Sequence, residues 1–216
     1  MLSIIEKDIR EVCNIYPKLK FNAGSIKSIY YSCSGEIDIF DNKGEYWDSF
    51  EIFFEINKNY PFTFPVVFET SKKIPNETDR HINTDGSCCL TVLQKSIIEA
   101  RKGVSISKFI KNYIIPYLAN QLYFEQNKKW ANGEYLHGKE GIIQFYKEET
   151  LLTSIDDIVH LLKNLATIKK LGRNDMCFCG NAKKLKDCHL DILKNILLIP
   201  IKRINDDILI LSHNHN

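Results

Sequence analysis

Excess charge of one sign is nearly absent: 29 lysines and arginines face 27 aspartates and glutamates, a formal net charge of +2 over 216 residues. A chain this close to neutral lacks the electrostatic footprint of a nucleic-acid binder. No basic stripe with interleaved aromatics supplies one locally. No run of 18 apolar residues occurs, which excludes a membrane-spanning helix of that kind. The opening MLSIIEKDIREV carries Glu6, Asp8 and Glu11 where a secretory signal needs an uninterrupted apolar core. The expected location is therefore the cytoplasm, where thiols stay reduced. Seven cysteines, an odd number, do not suggest a disulfide framework there. There is no internal repeat and no low-complexity segment. What is present is 44% hydrophobic and 26% charged residues, the make-up of a soluble globular protein with one ordinary domain and a small addition.

Along the chain, Leu2, Ile5, Ile9, Val12 and Cys13 fall at helical spacing, and Pro17 stops that helix. The period then changes to two. GEIDIFD places Ile37 and Ile39 on one face, and DSFEIFFEIN places Phe50, Ile52, Phe54 and Ile56 on one face. Cys33-Ser34-Gly35 and Asp41-Asn42-Lys43-Gly44 carry turn composition, so the stretch reads as an antiparallel meander. VVFET after Pro65 is a further strand, its proline at the entrance where no ladder donor is lost. Residues 71–104 read as one long polar loop, a length that in a compact domain points to function or disorder. An apolar helix follows, capped by Ser105 or Ser107 and kinked or split at Pro116. Further helices are expected near Gly141 to Glu149 and near Ile155 to Lys169, the latter capped at Ser154. Helix, four antiparallel strands, long loop and helices make an α+β layer architecture.

GRNDMCFCGNAKKLKDCH, from residue 172, holds Cys177-x-Cys179, then eight residues, then Cys188-His189. Three thiolates and an imidazole form a closed tetrahedral donor set for structural zinc. Gly180 gives a permissive turn after the first pair. Apolar content in this segment is low, so the metal is expected to supply its folding free energy. The segment also resembles the SEC-C module, a small zinc motif of bacterial proteins with the pattern Gly-Arg-Asn-Asp-x-Cys-x-Cys-Gly and a lysine-rich run to Cys-Cys or Cys-His. Met176 and Phe178 stand where that family commonly has prolines. The resemblance implies a docking role. Lys183, Lys184 and Lys186 are either contacts to an acidic partner or a solvated turn. Residues 191–216 carry two apolar runs and are expected to pack back onto a domain. His213 and His215 read as a polar tail before metal ligands.

HINTDGSCCLTV, residues 81–92, sets Cys88 and Cys89 side by side in the polar loop. A disulfide between neighbours is strained, and His81 alone does not complete a second closed metal site. Core packing and a reactive thiol both remain open. In an extended stretch adjacent side chains point to opposite sides, so at most one of the two faces solvent.

YPFTFPVVFET, the loop, His-x-Asn and Gly86-Ser87-Cys88-Cys89-Leu90 together resemble the ubiquitin-conjugating enzymes. Those enzymes carry a Tyr-Pro-Phe-x-x-Pro segment, a strand, His-Pro-Asn, and a catalytic cysteine three residues after a glycine and before a leucine. The resemblance implies a ubiquitin-conjugating-enzyme-like domain over residues 1–168; the Cys/His spacing sets a zinc module over 172–190 and leaves an extension over 191–216. It implies Cys89 as the acyl-carrying nucleophile and Cys88 in the inward position of an Ile or Val. His81, Asn83 and backbone amides become candidates for stabilising the oxyanion, and Asp85 for moving the proton. His137 is a weaker candidate, with capping or exposure as its ordinary reading. Ile82 replaces the proline of His-Pro-Asn, and the spacing from His81 to Cys89 is two residues shorter than in eukaryotic members. KWANGEYLHGKEGIIQFY resembles bacterial relatives in anti-phage operons, including the cyclic-oligonucleotide (CBASS) systems. The implied partner is the C-terminus of a ubiquitin-like protein or of a cyclic-nucleotide synthase (a CD-NTase-type cyclase), with or without an activating enzyme. The rival expectation is an inactive, RWD-like protein-binding adaptor with a zinc docking motif.

Overall fold

In a computed structural model of the chain, residues 3–24, 27–131, 136–167, 172–179 and 181–213 are described. The chain divides into two compact units. The first comprises Met1–Thr91 and Glu99–Glu134, the second Val92–Ile98 and Tyr135–Asn216. The expected boundary at 168–172 falls on residues 168–171, which lie outside the described residues.

In the first unit, helix α1 (Ile4–Ile15) opens with a capping box. The Ser3 hydroxyl accepts the Glu6 amide, and the Glu6 carboxylate accepts the Ser3 amide. Four strands follow, β1 (Leu19–Ala23), β2 (Ile29–Phe40), β3 (Tyr46–Asn57) and β4 (Val67–Glu69), in an antiparallel sheet of order β1-β2-β3-β4. The period-two pattern does what it promised: Ile37, Ile39, Phe50, Ile52, Phe54 and Ile56 are all buried. The turn expected at Cys33-Ser34-Gly35 does not exist; those residues lie inside β2. Gly35 is needed there for close approach, not for reversal. A Cβ on it would stand 2.3 Å from the Lys18 carbonyl oxygen.

The long loop expected over 71–104 is likewise corrected. It holds a 3₁₀ turn, Thr78–Arg80, and helix α2 (Leu93–Lys102). Only Gln94 and Ile98 of α2 are buried, too little apolar periodicity to betray a helix. Ser105 caps α3 (Ile106–Phe109), accepting the Lys108 amide. The helix continues through a π turn at Ile110–Ile114 into α4 (Ile115–Asn127). Pro116 therefore does not split it; the wider turn ahead of the proline absorbs its missing donor. Asp8, buried on α1, accepts the Ile106 amide at 2.6 Å and the Tyr60 hydroxyl, fixing α1 to the start of α3.

The second unit carries α5 (Gly138–Thr150), α6 (Ile155–Thr167), a 3₁₀ turn at Leu185–Asp187, α7 (Leu190–Ile196) and α8 (Ile201–Ser212). Ser154 receives the Asp157 amide at the start of α6. Phe145, Ile158, Leu162, Ile196, Ile204 and Leu211 share one core. Beside it lies Asp207, fully buried on α8. Its carboxylate accepts from Gln94 (3.0 Å), Tyr146 (2.8 Å) and Arg203 (2.9 Å, Nε). A buried charge is tolerable only with such donors. The architecture is mixed α+β, and among the described residues no helix is long and apolar enough to cross a membrane.

Candidate functional site

The paired cysteines sit in a loop pinned by its own backbone. Asn83 donates to the Ser87 carbonyl (2.8 Å) and Gly86 to the Asn83 carbonyl (2.9 Å), closing a tight turn. Gly86 has φ of 83°, a conformation other residues adopt only under strain. Past the turn, Ser87 bridges Phe68 of β4 and Cys88 bridges Ile82. The Cys88 amide donates to the Val67 carbonyl and the Cys89 amide to the His81 carbonyl, both at 2.7 Å. Adjacent amides thus bond in different directions, and the side chains part accordingly. Cys88 is buried in the core with Ile82; Cys89 is half-buried.

Burial acts on both thiols. It pushes Cys88 up to about 11, partly offset by the Tyr117 hydroxyl, and it raises Cys89 above the ordinary thiol range. Neither is a ready thiolate at neutral pH in this state.

The other expected residues occupy distinct places. His81 caps the 3₁₀ turn in the left-handed region, φ 54°, with its ring edge-on to Trp130 at 5.0 Å. Its carbonyl accepts the Cys89 amide. Asn83, Asp85 and Ser87 form one cluster. The Asn83 Nδ2 donates to the Ser87 Oγ (3.0 Å), and the Ser87 hydroxyl donates to the Asp85 Oδ1 (2.6 Å). That hydroxyl and the Ser87 amide hold the Asp85 carboxyl below its ordinary range, so Asp85 is a weak base as placed. His137 lies in the second unit, at the N-cap of α5.

Sequence reasoning missed the support behind the loop. Arg80 is buried, its Nε donating to Gln121 (3.0 Å), one terminal nitrogen to Glu125 (2.9 Å), and its plane 4.9 Å from the Phe124 ring. Gln121 in turn donates to the Arg80 carbonyl (2.8 Å), and the Tyr117 hydroxyl contacts the Arg80 and His81 carbonyls at 3.2 Å. These pairs join residues about forty apart in sequence, and no local pattern announces them.

The second candidate site is the Cys/His segment. Met176 bridges Lys184, the Cys177 amide donates to Lys183 (2.8 Å), and the Leu185 amide donates to Asp175 (2.8 Å). This narrow hairpin presents Cys177 and Cys179. Cys188 ends the 3₁₀ turn, and His189 precedes α7. The ligand atoms of Cys177, Cys179, Cys188 and His189 all lie within 4.8 Å of one another. The Cys177 Sγ and Cys188 Sγ are each 3.1 Å from His189 Nδ1, and Cys179 Sγ is 3.5 Å from both other sulfurs. Ligands on one tetrahedral ion stand about 3.5 Å apart, so the set is sized to hold a metal. Gly180, the expected turn, and His215 lie outside the described residues; His213 is exposed beyond α8.

One expectation about this segment is corrected. Cys177 and Leu185 are buried in the same core as Leu161, Leu193 and Ile196. The segment has apolar support in addition to any metal. Lys183, Lys184 and Lys186 are exposed.

Comparison of the chain with protein-family models, with curated proteins and with solved structures finds no match in any of the three.

Proposed function

We propose that the protein is a ubiquitin-conjugating-like acyl carrier in which Cys89 holds the C-terminus of a partner protein as a thioester. The observation that carries this reading is the division of labour in the pair. One sulfur is packed into the core, and its neighbour is half-buried on a loop that strand β4, His81 and α4 hold in place. A helix followed by a four-stranded antiparallel meander precedes that loop, the element order of the conjugating enzymes.

The chemistry is acyl exchange. The Cys89 thiolate attacks an activated C-terminal carbonyl, an S–C bond forms, and the activating group leaves. A lysine amine then attacks the thioester, loses its proton, and expels the thiolate. Burial lowers the thiolate fraction but leaves each thiolate more nucleophilic, which suits exchange between thioesters. Asn83 is the side-chain candidate for the oxyanion, with one of its amide hydrogens already engaged by Ser87. Cys177, Cys179, Cys188 and His189 would hold zinc as a closed structural set. The partner is a ubiquitin-like protein or a cyclic-nucleotide synthase of a bacterial anti-phage system in the cytoplasm.

A second reading, a non-catalytic adaptor of the same architecture, is favoured by burial raising the Cys89 thiol. The two separate in cells containing the native partners, by non-reducing gels and intact mass. The carrier reading expects a thiol-sensitive adduct on Cys89, a thiol-stable ester or none in Cys89→Ser, and an unchanged adduct in Cys88→Ser. No adduct in any form, or equal loss in both variants, favours the adaptor.

A further inference from the structure

Away from the cysteine loop, the tip of the β2–β3 hairpin and the end of α4 enclose a cleft of about 510 Å³. Asp41, Glu45, Tyr46 and Trp47 line it from the hairpin, and Tyr123 and Gln126 from α4. We propose that this cleft binds the alkylammonium group of a lysine side chain on a partner protein.

The backbone is shaped for it. Ile39 pairs with Asp48 but Phe40 pairs with Tyr46, so Trp47 is the extra residue of a β-bulge. Counting back from buried Phe50, strict alternation would send Trp47 to the face away from the core. With the bulge it is instead half-buried and packs against the core that includes α4. Bulges re-aim side chains in this way and gather beside functional sites.

The lining combines aromatic rings and carboxylates with the carboxamides of Asn42 and Gln126. Tyr46, Trp47 and Tyr123 supply three aromatic rings, and Tyr46 keeps 59% of its surface exposed. Phe40 braces Tyr46 edge-on at 6.1 Å. Ring faces attract cations through their quadrupole, Trp most strongly. Two carboxylates join them. Asp41 spends one oxygen on the Lys43 and Glu45 amides (2.8 and 2.9 Å), which makes a rigid turn and leaves Glu45 exposed as the main charge. Among the described residues, no lysine or arginine lines the cleft. An anion would be repelled, and a neutral apolar ligand would strip water from the carboxylates without compensation. A cation on an aliphatic stem satisfies both parts of the lining. This site does not depend on the role of Cys89.

The test follows the Trp47 indole N–H by NMR in the full-length protein. The probes are the N-acetyl amides of lysine, Nε-trimethyl-lysine, arginine and norleucine. Lysine or its trimethyl form should give saturable shifts at least about tenfold tighter than norleucine. Glu45→Gln and the exposed-ring variant Tyr46→Leu, both at surface positions, should weaken that binding about threefold or more with the remaining spectrum unchanged. Equal binding of norleucine, no saturable shift with any probe, wild-type affinity in both variants, or arginine binding tighter than both lysine forms would each overturn the proposal.

Discussion

The two cysteine sites differ in what holds their sulfurs. At residues 81–90 the backbone does the holding. Amides of Cys88 and Cys89 bond Val67 and His81, and Tyr117 and Gln121 bond the carbonyls behind them. Among the described residues, the half-buried Cys89 thiol is grouped with no second metal-ligating side chain. At residues 177–189 the side chains converge on one point, and every donor faces another donor. That arrangement is closed to substrate and suited to gripping an ion. The same residue type thus stands in opposite surroundings, and the difference lies in whether neighbouring sulfurs diverge or meet.

The largest effect that sharpens this contrast is metal loss. Cys177→Ser should abolish the metal proposed for this set, read by elemental analysis, and lower stability of the second unit by on the order of 3–5 kcal/mol. Cys89→Ser should leave metal content intact and shift thermal unfolding by no more than about 2 °C. Equal destabilisation by the two would erase the distinction.

Next comes the polar hub of the second unit. Asp207→Ala should cost about 3 kcal/mol in denaturant titration, because Arg203, Gln94 and Tyr146 lose their shared acceptor. A cost under about 1 kcal/mol would show the hub to be relaxed by water. In the first unit, Asp8→Ala should cost about 2 kcal/mol through the Ile106 amide and the Tyr60 hydroxyl.

A smaller effect concerns pH. Burial raises Cys88 from 9.0 to about 11 in the folded protein, so its neutral form is favoured on folding. That contribution is complete below pH 9 and disappears between pH 9 and 11, a change on the order of 2–3 kcal/mol. Cys88→Val should flatten that part of the alkaline stability profile. A profile identical to wild type would mean that Cys88 titrates like a solvent-exposed thiol.

Legibility in the sequence followed distance along the chain. Helix α1, the buried faces of β2 and β3, the helices at 138–167 and the Cys177–His189 spacing all rest on residues within a dozen positions of one another. Each showed as a period or a spacing. The polar helix α2 did not, since it buries only Gln94 and Ile98. Gly35 misled, because glycine serves close backbone approach as readily as a turn. Arg80 with Gln121, Tyr146 with Asp207 and Gln94 with Asp207 span 41, 61 and 113 residues, and only the fold brings them together. The divergence of Cys88 from Cys89 was expected from extended geometry; the carbonyls that enforce it were not readable.

The most direct measurement is competitive thiol labelling. The native protein is treated with limiting N-ethylmaleimide, quenched and mapped by peptide mass spectrometry. Cys89 should be modified well ahead of Cys88, with Cys33 also protected. Labelling of Cys88 first, or of both at one rate, would contradict the assignment of Cys89 as the outward-facing sulfur.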